Sequence, residues 1–391
     1  MIYDKMFSLI RESLFSEQTL SVPCVFSEQE LKDVYKEMAS QAITSLPYEW
    51  LKNHPFPEND VYIDWMRLCY RQQVQWIRLM AEQTRLVNIM NEYQIPFVII
   101  KGSAAGMYYP NPHLRVAGDV DFLVRHSDYE KTAGILEKNG FLLEREKNPL
   151  SHHYEYSRNG ICFELHRKMG SVKDSDEKLL SIFENGILSS NIQKINNFYF
   201  PVLPDELNGL SLLIHIRQHL KRGLGLRQII DWMMYVNYLP DAVWKEKTLP
   251  LLRDIGMEKL ALTVTAMCQK YLGLREIVID NNQYPCQDLM EYILEKGNFG
   301  KKSGQEGRVA YAFLFMGAPF QMLIRLQRNG IRRWNLARKY RIFYPFAWLH
   351  EIKTFVRELH KAQVTPRMII KQRNKGIEQR ELFKKLGVRI E

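Results

Sequence analysis

Residues 97–124 read FVIIKGSAAGMYYPNPHLRVAGDVDFLV, and the fold turns on how they are parsed. Phe97 to Ile100 are four apolar, partly β-branched residues after Pro96, suited to a buried strand. Lys101-Gly102-Ser103 makes a turn, and Ala104 to Tyr109 reads as a short helix stopped by Pro110 and Pro112. Asp119 to Val124 is a second strand. Asp119 and Asp121 alternate with Val120, Phe122 and Val124, so one face of that strand is core and the other carries two carboxylates. Like charges so close are costly unless a cation lies between them, and a divalent metal is the usual answer.

The turn between the strands has its own chemistry. Glycine at a strand-to-helix turn lets the backbone come close to a ligand. The amide groups of the new helix, with the Ser103 hydroxyl, are expected to form an anion site suited to phosphate.

Upstream, apolar residues recur at helical spacing from Asp64 to Tyr93 with no Pro or Gly inside, which predicts one long amphipathic helix with a core-facing stripe. Ser45 to Pro57 reads as a loop between helices. Downstream, Ser127-Asp128-Tyr129-Glu130 predicts a capping box opening a helix that runs to about Asn139, followed by a short strand from Phe141 to Arg145. His153 to Ser157 and Ile161 to His166 flank Arg158-Asn159-Gly160, where Asn-Gly is a strong hairpin signal. On the second hairpin strand Ile161, Phe163 and Leu165 face one way, and Cys162, Glu164 and His166 the other. Glu164 can therefore lie beside Asp119 and Asp121 on a neighbouring strand. An oxygen-only ligand set suits Mg²⁺ or Mn²⁺ rather than zinc. Two such ions can hold a triphosphate and activate a hydroxyl for in-line attack.

With these residues in place the chain resembles the DNA polymerase β-like nucleotidyltransferase superfamily. More narrowly, it is similar to the bacterial group of uncharacterised nucleotidyltransferase family proteins. Gly102-Ser103, Asp119-Val120-Asp121 and Glu164 match the superfamily pattern of a Gly-Ser turn, an acidic pair and a later acid on another strand. The gap from Ser103 to Asp119 is longer than in many members; the Tyr-Pro-x-Pro-x-x-Arg stretch from Tyr109 to Arg115 matches the narrower group. The resemblance covers roughly residues 60 to 240. It implies an α+β fold, a small mixed β-sheet core set between N-terminal and C-terminal helical regions. The expected divisions are a helical region at 1–95, the core at 96–170, a helical part closing the site at 171–300, and a basic region at 301–391.

The expected activity is metal-dependent transfer of an NMP group from an NTP, ATP by default, to a hydroxyl acceptor. Gly102 and Ser103 would hold the β- and γ-phosphates. Asp119, Asp121 and Glu164 would be metal ligands and catalytic groups, and Lys101 or Arg115 would offset phosphate charge. His166 is expected to support these ligands rather than bind metal itself.

Residues 205–239 read as helical, broken near Gly223-Leu224-Gly225. His215 and His219 stand one turn apart, as do Arg227 and Asp231. By themselves these spacings suit packed histidines and an intrahelical ion pair. The narrower group carries a similar helix, which makes Arg227 a candidate nucleotide or acceptor contact.

The net charge of +10 is unevenly placed. Residues 301–391 hold 21 Lys and Arg against 6 Asp and Glu, while the remainder holds 33 against 38. The stretch 296–307 reads as a flexible linker, and 309–324 is apolar but too short to span a bilayer. The basic, aromatic-interleaved residues that follow suit a helical pair folded on the core, or peripheral contact with an anionic membrane surface through 309–350. Nucleic acid is a weaker fit, for lack of a recognition motif. Five widely spaced cysteines without a CxxC pair argue against a disulfide framework and a cysteine zinc site, and the cytoplasm is the expected compartment. A catalytically inactive or regulatory nucleotide-binding module of the same fold is the main alternative. The presence of all three carboxylates weighs against it.

Overall fold

The computed structural model describes residues 2–15, 25–56, 58–144, 153–170, 176–221, 223–277, 284–302, 319–361 and 366–388. Seven strands form its centre: β1 (Phe97–Ile100), β2 (Asp119–Val124), β3 (Leu142–Leu143), β4 (His153–Arg158), β5 (Ile161–His166), β6 (Asn191–Ile195) and β7 (Phe198–Val202). They make one mixed sheet in the order β3-β4-β5-β2-β1-β7-β6. The fold is α+β, with helices before, around and after this sheet.

The helices that position the site are α1 (Ile2–Leu14), α2 (Glu28–Ser40), α3 (Tyr48–Asn53), α4 (Asp60–Glu92), α5 (Gly102–Gly106), α6 (Tyr129–Lys138), α7 (Glu177–Leu188), α8 (Asp205–Leu220) and α9 (Leu226–Tyr238). β1 and β2 run antiparallel, but β2 and β5 run parallel. A parallel pair needs a crossover, which α6 and the strands β3 and β4 supply.

Asn159 and Gly160 turn the β4–β5 hairpin with φ of 48° and 75°. Two positive φ values are what a tight two-residue hairpin loop requires. The loop sets the register, pairing Glu155 with Glu164 and His153 with His166.

The two faces of the sheet bury different things. Phe97, Ile99, Val120, Phe122, Phe163 and Leu165 pack against Leu79, Met80, Leu86 and Met90 of α4 and Leu136 of α6. Val98, Ile100 and Leu123, on the opposite face, join a larger core with Phe183 of α7 and the inner sides of α8 and α9. That larger core also takes in α1–α3, the helices Glu258–Leu272 and Cys286–Lys296, and Phe383 of the helix Pro366–Lys385. Asp119 and Asp121 share the face of Ile100 and Leu123. The carboxylates therefore point into the space between the sheet and α8–α9.

Three local expectations give way to tertiary context. The 45–57 break contains a helix of its own, α3, because Tyr48, Trp50 and Leu51 are buried in the main core. α6 starts without a side-chain cap: a 3₁₀ turn, His126–Asp128, precedes it, and the Asp128 carboxylate accepts from Arg125 Nε at 2.7 Å instead. The start of the expected linker is docked. Asn298–Gly300 form a 3₁₀ turn with Asn298 buried, and its Oδ1 accepts from Gln228 Nε2 at 3.0 Å. Residues 303–307 of that linker, 309–318 of the apolar run and Arg145 lie outside the described residues.

Candidate active site

Asp121 and Glu164 are register partners on the parallel strands β2 and β5, and Asp119 stands two residues before Asp121 on the same face. Sheet geometry alone thus gathers the three expected carboxylates. A turn brings a cation to them. Lys101 leaves β1 with φ 55° and ψ −125°, a conformation that side-chain-bearing residues rarely adopt. Its Nζ meets Asp121 Oδ1 at 2.6 Å. From the other side His166 Nε2 lies 2.8 Å from the same oxygen and 3.1 Å from Glu164 Oε2. His166 thus links two of the three acids.

Gly102 and Ser103 open α5 directly after Lys101. Ser103 is buried, and its hydroxyl donates to Gln83 Oε1 of α4 at 2.6 Å. A Cβ added at Gly102 would meet Asp119 O at 3.5 Å, an ordinary contact. Packing within the chain therefore does not demand glycine there.

The charges in this group act on one another. Burial, with Asp121 and Glu164 nearby, pushes the Asp119 carboxyl up to about 6, against the pull of Lys101 and Arg227. Burial also works against the Asp121 charge, but Lys101 and His166 outweigh it and hold that carboxyl well below its usual range. The Lys101 ammonium and the His166 imidazolium are both favoured despite burial, each by its acidic neighbours.

The opposite wall is built by α8 and α9. His215 and His219 meet with ring centroids 4.4 Å apart. Burial, Lys101 and His219 keep His215 neutral, well below its ordinary value. Arg227 on α9 is half-buried, and its charge acts on Asp119. Its partner one turn on, Asp231, is taken by another group. Arg115 approaches Asp231 with two nitrogens, Nε to Oδ1 at 2.9 Å and Nη2 to Oδ2 at 2.7 Å. Tyr109 donates to Oδ1 at 2.7 Å. Arg115 is buried, and its guanidinium is committed to α9, so it clamps the Pro-rich loop to the wall.

Asp119, Asp121 and Glu164 fit a hard divalent cation by donor type: three carboxylates and no thiolate, with Lys101 and His166 now offsetting their charge. Among the described residues the acidic and histidine group whose ligand atoms all lie within 4.8 Å of one another is His153, Glu164 and His166, so Glu164 is the member it shares with the expected set. His153 was missed in the sequence, although counting outward from the Asn159-Gly160 loop pairs it with His166. Gln83, which holds the Ser103 hydroxyl, carried no signal, being a polar residue within a helical stripe.

A model of the uncharacterised nucleotidyltransferase family matches residues 27–273, a stretch that holds the whole sheet, α8 and α9. The domain is of nucleotidyltransferase type, which implies a nucleotide substrate. The match covers more than half of the chain, and the chain belongs to the uncharacterised nucleotidyltransferase family. No curated protein matches it.

Proposed function

We propose that this protein transfers an NMP group from an NTP to a hydroxyl-bearing acceptor. The observation that carries this reading is the placement of Asp119, Asp121 and Glu164 on one face, by parallel register, beside the Lys101-Gly102-Ser103 turn. Mg²⁺ or Mn²⁺ held by the three carboxylates would offset the charge of the triphosphate. The turn receives the β- and γ-phosphates, with Gly102 leaving room for them. Lys101 and Arg227 supply positive charge from two sides. Glu164, the more exposed of the paired acids (23% against 4% for Asp121), takes the proton of the acceptor hydroxyl. The acceptor oxygen then bonds to the α-phosphorus as the bond to the bridging oxygen breaks, and pyrophosphate leaves.

Isothermal titration of the wild type and Asp119→Asn with ATP, CTP, GTP and UTP in Mg²⁺ tests this. Nucleotide should bind the wild type and bind the variant weakly. No binding to the wild type, or equal binding to both, overturns the proposal. Binding without transfer to any acceptor would favour the regulatory module.

We propose in addition that residues 319–361 hold the protein against an anionic membrane from the cytoplasmic side. Among the described residues no helix is long and apolar enough to cross a membrane. This segment nevertheless exposes Leu323, Leu336, Phe346, Val356 and Ile342, the last at 78%, among basic residues such as Arg338, Lys339 and Arg341. Apolar side chains interspersed with cations suit the headgroup boundary of an anionic bilayer. Sedimentation with phosphatidylglycerol vesicles but not phosphatidylcholine vesicles is expected. Failure to sediment with either, or salt-sensitive binding to RNA alone, counts against membrane contact.

A further inference from the structure

We propose that Phe299 is the platform on which the base of the nucleotide stacks. Phe299 has this role only if the site uses an NTP, as proposed above. The residue lies beyond the stretch matched by the family model. It carries two features that a side chain is seldom found to combine. The residue is 54% exposed, and its backbone has φ 56° and ψ 25°, a region that bulky side chains rarely adopt. Glycine would relieve both, and glycine occupies positions 297 and 300 of the same turn with φ of 66° and 69°.

The exposure is imposed by firm anchors. Asn298 is buried and bonded to Gln228 at 3.0 Å. Gly223 approaches Gly300 so closely that a Cβ on it would come within 2.2 Å of Gly300 N. Lys302 Nζ reaches Leu294 O and Glu37 Oε2, each at 2.7 Å. With both sides of the turn fixed, the Phe299 ring is held where it stands.

Its surroundings point to the acidic site. The Arg227 guanidinium lies over the ring, 5.9 Å from its centroid, and the His219 ring meets it edge-on at 4.8 Å. Arg227 acts on Asp119, and His219 touches His215, on which Lys101 and Asp121 act. Arg227 Nε is also buried without a hydrogen-bond partner. A ring with a cation on one face and an exposed remainder suits a flat heteroaromatic ligand. With the triphosphate at the Lys101 turn, the base extends to Phe299. Stacking tolerates any base, so the platform adds affinity with little discrimination among the four.

The test uses the full chain with Mg²⁺ and compares wild type, Phe299→Gly and Phe299→Trp by calorimetry. The probes are the four NTPs and inorganic tripolyphosphate. Phe299→Gly should weaken all four NTPs by roughly 5- to 150-fold. It should leave tripolyphosphate binding unchanged and unfold at the same or a higher temperature. Phe299→Trp should keep NTP affinity near the wild-type value. If Phe299→Gly binds NTPs as tightly as the wild type, or loses tripolyphosphate by the same factor, the platform is wrong while nucleotide use stands. If the wild type binds no NTP, nucleotide use and the platform fall together.

Discussion

Lys101 Nζ and Asp121 Oδ1 lie 2.6 Å apart, which puts an ammonium inside the acidic group that the sheet assembles. Lys101 therefore neutralises charge that a divalent ion would otherwise offset. Replacing one partner of a buried ion pair typically costs about 3–5 kcal/mol, because the other charge is stranded. Lys101→Met should lose stability on that scale in the absence of divalent ions, measured by chemical denaturation. Mn²⁺ should then raise its melting temperature more than that of the wild type. Equal metal shifts in both proteins would mean that Lys101 and the ion do not compete.

Arg115 and Asp231 form the second buried pair, tying the loop before β2 to α9. Arg115→Ala leaves Asp231 buried and should cost about 3–5 kcal/mol in urea unfolding. The double variant Arg115→Met, Asp231→Leu should recover most of that loss, since no charge is then stranded. If the double variant is worse than either single one, the pair contributes more than mutual compensation.

Asp119 gives a pH dependence whose direction is fixed by its raised value. Its carboxyl titrates at about 6 in the folded chain, against 3.8 unfolded. The folded state therefore binds the proton more tightly. This group's contribution to stability is fully present below the unfolded value and is lost as pH rises through the folded one. Asp119→Asn should thus gain stability relative to the wild type between about pH 4 and about pH 6 and keep that gain above it. Metal affinity of the wild type should fall below about pH 6, as Asp119 takes up its proton. Unfolding and Mn²⁺ titrations across this range check both, and a flat difference between the two proteins would contradict the assignment.

Gly102 separates packing from ligand contact. A Cβ there meets only Asp119 O at an ordinary 3.5 Å. Gly102→Ala should leave stability unchanged or raise it by about 0.5–1 kcal/mol, through the unfolded chain. Nucleotide affinity should drop, because the methyl group occupies the space given to the phosphates. Ser103→Ala should behave in the opposite way in denaturation. It strands the Gln83 carbonyl in the core at a cost of about 1–3 kcal/mol.

The acidic group was legible in the sequence because strand alternation and the Asn159-Gly160 loop are local rules. Asp119, Asp121 and Glu164 follow from a period of two and a two-residue turn. The family's own pattern supplied the pairing of two strands whose partners, such as Asp121 and Glu164, stand 43 residues apart. What could not be read depends on contacts between distant segments. The i, i+4 spacing of Arg227 and Asp231 suggested a pair, but Asp231 is bonded to Arg115, 116 residues away in the chain. The 298–300 turn read as linker because its composition is flexible, yet Gln228 and the bare backbone at Gly223 hold it in place. Phe299 gains its surroundings only through that docking.

The central claim is that Asp119, Asp121 and Glu164 support transfer of a nucleotidyl group. It is tested most directly by incubating the protein with ATP labelled on its α-phosphorus, Mg²⁺ and a cell extract as the source of acceptors. The wild type should move label into a new product and release unlabelled pyrophosphate, and Glu164→Gln should do so at least about 100-fold more slowly. Label that remains in ATP with the wild type, for every nucleotide tried, or equal transfer by Glu164→Gln, would contradict it.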